Sequence, residues 1–397
     1  MTDQEYKDLK QIFDSVKNNT NTESVEGKKI VTTTLAPINI SMVAPRAAGK
    51  TSMLTTLFKY IKEHINANHF DITIDEDSDK RIEEYTKALQ VIKDANNNDD
   101  ITSKISNLHP TKSINKFNFT ISFNREISSE KKDVIVNLPF CVMDVAGGIV
   151  SGEEKTEIED FKEHLKNSSI LLIPFDSMLL MQKPIADDKE ALDRYVSDHM
   201  SINSINEWGI EWAKSRQNDN HPKVVFIAMK SETYHTNRVT TKKTEECFKV
   251  FSDKYNEAIQ KISQKAPSAL EITYTPLETI GCIQCVNSTF DGEKMEHQFL
   301  KKNNVPDYLG AGVVLDVIFK RAQNQINDVY GDAKKWIDEI NNRPFYEKML
   351  HPIDFLDSLF HKNFVLNFYD GINDIEKELM EIVKKDSCFQ KNFNKTI

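Results

Sequence analysis

Apolar positions along this chain change period repeatedly, and the changes divide it into alternating strands and helices. Residues 38–43 alternate as a strand, and residues 51–65 follow with apolar side chains at helical spacing. Lys116–Asn124 alternates with period two, the mark of a half-buried strand, and pairs naturally with Val134–Met143 across Ser128–Asp133. Further strands are expected at Ile170–Phe175, Lys223–Met229 and Leu270–Ile280. Helices are expected over 188–215 with a break near Asn203, over 242–264, and over 309–342 with a kink near Gly331. Residues 3–18 read as a short amphipathic helix followed by a polar linker, Asn18–Glu23. Residues 77–107 read as a charged helix broken at Asn96–Asp100, an insertion or lid between the first helix and the next strand. From Pro344 the pattern is mixed helix with aromatic clusters (Phe355, Phe360, Phe364, Phe368), ending in an amphipathic helix over Ile372–Lys384.

Such alternation predicts a mostly parallel sheet covered on both faces. In that architecture ligands bind at the carboxyl ends of the strands. The expected organisation is an N-terminal helix and linker over 1–30, a central domain over 31–330 with its helical insertion at 77–107, and a C-terminal helical appendage over 331–397.

Composition narrows the picture. At 397 residues with 39% hydrophobic and 28% charged residues, the chain can bury a sizeable core. The net charge of −10 argues against a general nucleic-acid surface, so no direct nucleic-acid binding is expected. No apolar run approaches the ~20 residues of a membrane span. The acidic, polar N-terminus is unlike a signal peptide, and five cysteines are a sparse, odd set, so a reducing cytoplasmic setting is expected. Cys282-x-x-Cys285 lacks a second pair or nearby histidines, and two reduced thiols at a strand end are a better reading than a zinc site.

The chemistry is concentrated where residues 38–43 run into Ala44-x-x-x-x-Gly49-Lys50-Thr51. Strand, loop and helix in this order make a phosphate-binding loop, whose backbone N–H groups and helix N-terminus favour an anion. Ala44, Ala47 and Ala48 belong to the loop, Gly49 lets the backbone approach a phosphate, and Ser52 follows at the helix start. Lys50 is placed to reach the β- and γ-phosphates, and the Thr51 hydroxyl to ligate Mg²⁺. Ala44 stands where a glycine is usual, which costs little if its φ stays negative.

Further segments stand in the order a guanine-nucleotide-binding domain uses. The region from about 37 to 330 resembles a P-loop GTPase of the TRAFAC (translation-factor and Ras-like) superclass. The loop from Ala44 to Phe58 is most similar to bacterial double-GTPase proteins of conflict and defence loci, although no second complete phosphate loop is present. The resemblance implies an α/β, three-layer P-loop NTPase fold with a mostly parallel sheet, one antiparallel hairpin strand, a helical insertion and a C-terminal helical appendage. It also implies Mg²⁺ and GTP as ligands and hydrolysis as the activity. Asp144-x-x-Gly147 matches the family's metal-holding aspartate and γ-phosphate-sensing glycine. Gly148 occupies the position of the water-orienting glutamine, so slow hydrolysis is expected, with Arg46 a candidate for stabilising transition-state charge in cis. Thr111 has the position of the switch threonine that completes the metal shell. Met229-Lys230-Ser231-Glu232 stands in for the base-reading box: Lys230 would lay its stem over the purine, and Glu232 would accept from guanine. Thr279-Ile280-Gly281-Cys282 stands where a backbone N–H meets the base.

The expected function is a slow, nucleotide-controlled switch acting on an unidentified protein effector, with self-association also compatible. Two alternatives stay open: an ATPase of the same fold, because the base box is degenerate, and a nucleotide-holding scaffold without turnover. An acceptor-binding lid of arginines is not apparent, which argues against a metabolic kinase.

Overall fold

The computed structural model describes residues 20–25, 28–64, 70–106, 114–127, 132–145, 147–150, 158–182, 189–233, 241–302, 309–342 and 391–393. The amphipathic helix read at 3–18, the helical segments read over 344–384, and Thr111 lie outside these residues.

Among the described residues the chain is an α/β protein built on a ten-stranded sheet. Its parallel centre consists of β2 (Lys28–Thr34), β3 (Ile38–Met42), β6 (Lys132–Asp144), β7 (Ile170–Asp176), β8 (Lys223–Met229) and β9 (Glu271–Leu277). β2 and β3 are two halves of one run: both lie parallel to β6, against Lys132–Asn137 and Phe140–Asp144 respectively. β5 (Asn115–Ile127) pairs antiparallel along the other edge of β6, and β4 (Phe70–Ile74) extends the sheet beyond it.

More of the sheet is antiparallel than the single hairpin strand expected. Thr20–Val25, part of the segment read as a linker, forms strand β1 antiparallel to β2. Thr-rich β-branched residues suit an extended edge despite their polarity. Near the other end of the chain, where helix was expected, Lys391–Phe393 adds a short antiparallel strand to β9.

The central strands read as continuous apolar runs because both sheet faces are covered. On β8, Val225, Ile227 and Met229 face one core, while Val224, Phe226 and Ala228 face the other. The first core is closed by helix α1 (Lys50–His64) and a long helix over Ala311–Asn342, through Leu54, Phe58, Val314 and Ile318. The second is closed by helices over Ile158–Asn167, Ile202–Ser215 and Thr241–Lys265, through Leu165, Trp212, Phe251 and Tyr255. The break expected near Asn203 falls at Ser201, whose backbone is left-handed (φ 47°).

The insertion is a helix, α2 (Glu76–Lys93), followed by a turn and a short helix, Thr102–Ser106. Asp75 caps α2 by accepting from the Ser78 amide at 2.9 Å, and also accepts from the Asn118 amide of β5 at 3.1 Å. A second, two-stranded sheet not expected from the sequence, β10 (Ile283–Phe290) with β11 (Met295–Lys301), follows β9. The insertion and this hairpin are joined: Ile101 N donates to Phe299 O at 3.0 Å, Lys301 N donates to Asp99 O at 3.0 Å, and the two share a core with Leu89, Ile92 and Ile283. Among the described residues no helix is long and apolar enough to cross a membrane.

Candidate functional site

Parallel strands place every loop that follows them on one edge of the sheet, and there the singled-out segments meet. The register sets Met42 beside Asp144, so the loop after β3 and the turn after β6 leave the sheet side by side. Residues 43–49 then turn back into α1. Gly49 is left-handed (φ 93°), a backbone that calls for glycine, and a Cβ there would lie 3.2 Å from the tip of the flexible Met229 side chain. Ala47 is also left-handed (φ 57°), a conformation that costs a non-glycine residue about 1–2 kcal/mol. Ala44 is buried and is not among the left-handed residues, so its methyl group is tolerated.

Lys50 opens α1 and is buried, with Nζ donating to the carbonyls of Ala44 at 3.4 Å and Pro45 at 3.2 Å. Burial pushes its pKa down, and the nearby Asp144 carboxylate opposes that shift. The first turn of α1 contains no acidic residue of its own, and the carboxylate that meets it comes from Asp144 at the end of β6. Thr51 Oγ1 donates to Asp144 Oδ2 at 3.2 Å. A hydroxyl and a carboxylate this close are the two protein oxygens that a Mg²⁺ carried by a phosphate typically uses, since that ion retains water and phosphate as its remaining ligands. Among the described residues no cluster of three or more His, Cys, Asp or Glu offers an alternative metal site.

Gly147 ties the second turn to the first. A Cβ on it would stand 2.3 Å from Arg46 N and 2.5 Å from Arg46 Cα, so the two loops touch backbone to backbone. Gly148 is buried beside it, while Arg46 and Ala47 are exposed and Ala48 is buried. Ser52 points toward the insertion, with its Oγ 3.0 Å from Tyr85 OH of α2.

The other end of the site is formed after β7, β8 and β9. Lys230 has a left-handed backbone (φ 61°) and forms an ion pair with Asp176, the residue that caps the short Ser177–Leu180 helix. Met229, whose thioether offers only a weak acceptor, is buried against Gly49. Glu232 sits in a one-turn 3₁₀ helix, Ser231–Thr233, and is 3% exposed. Its Oε1 accepts from Thr279 N at 3.3 Å, Thr279 Oγ1 at 3.3 Å and Ile280 N at 3.2 Å. Burial and the neighbouring Glu278 push the Glu232 carboxyl up, and the backbone donors partly offset them. Lys302, just past the hairpin, donates to the Glu232 carbonyl at 3.1 Å. Cys282 is buried and Cys285 half-buried, and both are free thiols.

Of the residues singled out from sequence, Lys50, Thr51, Asp144, Gly147 and the loop residues converge at one end. Lys230 and Glu232 lie at the other end of the same sheet edge. Sequence reasoning missed Asp176, Tyr85 and Lys302. Asp176 ends an apolar strand just as Asp144 does, and that signal was available. Tyr85 is one residue of a charged helix and carried no local signal.

Compared with family models and with curated proteins, the sequence matches none.

Proposed function

We propose that this chain is a Mg²⁺-dependent P-loop nucleoside-triphosphate-binding protein with a preference for GTP, acting as a slow GTPase switch toward a protein effector. The observation that carries the reading is the convergence of a lysine, a hydroxyl–carboxylate pair and a backbone-to-backbone loop contact at the start of α1. In this reading the triphosphate lies along residues 44–49, and the Lys50 ammonium exchanges its two loop carbonyls for phosphate oxygens. Thr51 and Asp144 hold the metal, which when bound neutralises phosphate charge. Gly147 supplies an amide near the last phosphate, and Arg46, exposed at the loop tip, is available to the same group. The strand order β5–β6–β3–β7–β8–β9, with β5 antiparallel, supports the P-loop GTPase-like fold.

At the base end, Glu232 accepts from the Thr279 and Ile280 amides, which brings the segments after β8 and β9 together where a base would lie. Gly148 has no side chain with which to orient water, so turnover is slow. An ATPase of the same fold is the second reading, favoured by Met229 standing where a polar base reader is expected. Binding and turnover of GTP beside ATP, with and without Mg²⁺, tests the proposal. Mg²⁺-dependent, GTP-selective binding with slow turnover is expected. Preferred use of ATP moves the protein to the second reading, and binding without turnover makes it a scaffold.

A further inference from the structure

Lys230 is held at both ends. Its backbone is left-handed (φ 61°), a conformation that a residue with a side chain keeps only when its surroundings impose it. Here they do. The Lys230 carbonyl accepts from Thr233 N at 3.1 Å and from Thr233 Oγ1 at 2.7 Å, and the preceding Met229 carbonyl accepts from Ser177 Oγ at 2.5 Å. At the far end of the side chain, Nζ donates to Asp176 Oδ2.

Asp176 is itself fixed. It is the last residue of β7, and the sheet register sets it directly beside Met229. Its Oδ1 accepts from Leu179 N at 2.9 Å, capping the short helix that follows, which leaves Oδ2 for the lysine. The pair is not sealed from solvent: the Lys230 side chain is 30% exposed and that of Asp176 15%.

A lysine tied at both ends offers a ligand something that a free one does not. Its four-carbon stem becomes a stationary apolar surface. The rotamer freedom that a free lysine would lose on stacking against a planar ring has already been given up. The Asp176 carboxylate also balances the ammonium, so the stem rather than the charge is what this residue presents.

We propose that Asp176 is a positioning residue of the base site, acting through Lys230: it holds the ammonium so that the stem is preset for a purine ring. The inference rests on the nucleotide-binding reading above and extends the base site to the end of β7.

The test compares affinities for GTP and for inorganic tripolyphosphate, both with Mg²⁺, on the full chain. Changes at the phosphate end are common to both ligands and cancel in the ratio. Asp176→Asn keeps a side-chain oxygen for the helix cap, at which Asn is as good as Asp, and removes the charge that holds Lys230. The ratio of GTP to tripolyphosphate affinity is expected to fall about two- to tenfold, the range for ordering one long side chain on binding. Lys230→Met keeps an apolar stem, breaks the same pair without touching the cap, and is expected to lower the ratio similarly. It carries the test alone if Asp176→Asn fails to fold. In the Lys230→Met background, Asp176→Asn should cause no further fall, because the two side chains act as one unit. An unchanged ratio in either folded variant, or a second fall in the double variant as large as the first, overturns the inference and leaves the nucleotide reading standing. A wild type that binds neither ligand overturns both.

Discussion

In the proposed reading, the phosphate end and the base end of the site are built differently. At the phosphate end, residues 44–52 are contiguous, and Asp144 and Gly147 are delivered to them by the strand next to β3. At the base end, Glu232 depends on Thr279 and Ile280 after a different strand and on Lys302 beyond a hairpin. One end is a local conformation of the chain with a charged lysine in it. The other is a buried carboxylate whose properties are set by residues far away in sequence. The first should be broken by backbone changes and the second by charge changes.

Among variants that leave Lys50 in place, the largest effect is expected at the metal pair. Asp144→Ala removes the carboxylate facing Thr51, and Mg²⁺ should then lose its influence on triphosphate binding, with affinity falling at least about tenfold. Unchanged Mg²⁺ dependence in a titration would take Asp144 out of the metal shell. Gly147→Ala sharpens the contrast, because it adds a methyl group where Arg46 backbone stands 2.3 Å away. Overpacking of this kind costs about 1–3 kcal/mol. Denaturant unfolding should show that loss, while the preference between GTP and ATP stays the same. A change in preference would mean that the two ends are not separable.

At the base end the informative variant is Glu232→Gln. The folded-state pKa of Glu232 is raised above its ordinary 4.5, so the folded protein holds this proton more tightly than the unfolded chain. The stability contributed by Glu232 is therefore full below that ordinary value and is lost as pH rises through the folded-state pKa. The thermal midpoint of the wild type relative to Glu232→Gln should fall as pH is raised across that window. A difference that stays constant would show that the carboxylate is well solvated. The smallest effect is expected from Tyr85→Phe, which retains the packed ring but loses the bond to Ser52. About 0.5–1.5 kcal/mol should disappear from the unfolding free energy, and a neutral result would reduce that contact to a coincidence of position.

The same contrast explains what could be read from the sequence. The strand, turn and helix over 38–64 were legible because a strand and a helix with clear periods flank a short loop. The central strands were legible because both of their faces are buried. The hairpin β10–β11 was not, since its residues are largely polar and half-exposed, and its partner is the insertion rather than the main sheet. Thr20–Val25 was mistaken for linker because a polar edge strand shows no apolar alternation. Lys302 appeared only as part of a short basic pair, Lys301-Lys302. Its contact with the Glu232 carbonyl comes from a fold that returns it there.

The most direct test of the account is calorimetric titration of Mg²⁺·GTP into the wild type and into Lys50→Ala, with circular dichroism to establish that both are folded. The account predicts saturable binding by the wild type and a loss of at least about a hundredfold in the variant, as expected when a buried charge-assisted contact to phosphate is removed. Equal binding by the two proteins, or none by the wild type, would contradict the phosphate-loop assignment on which the rest depends.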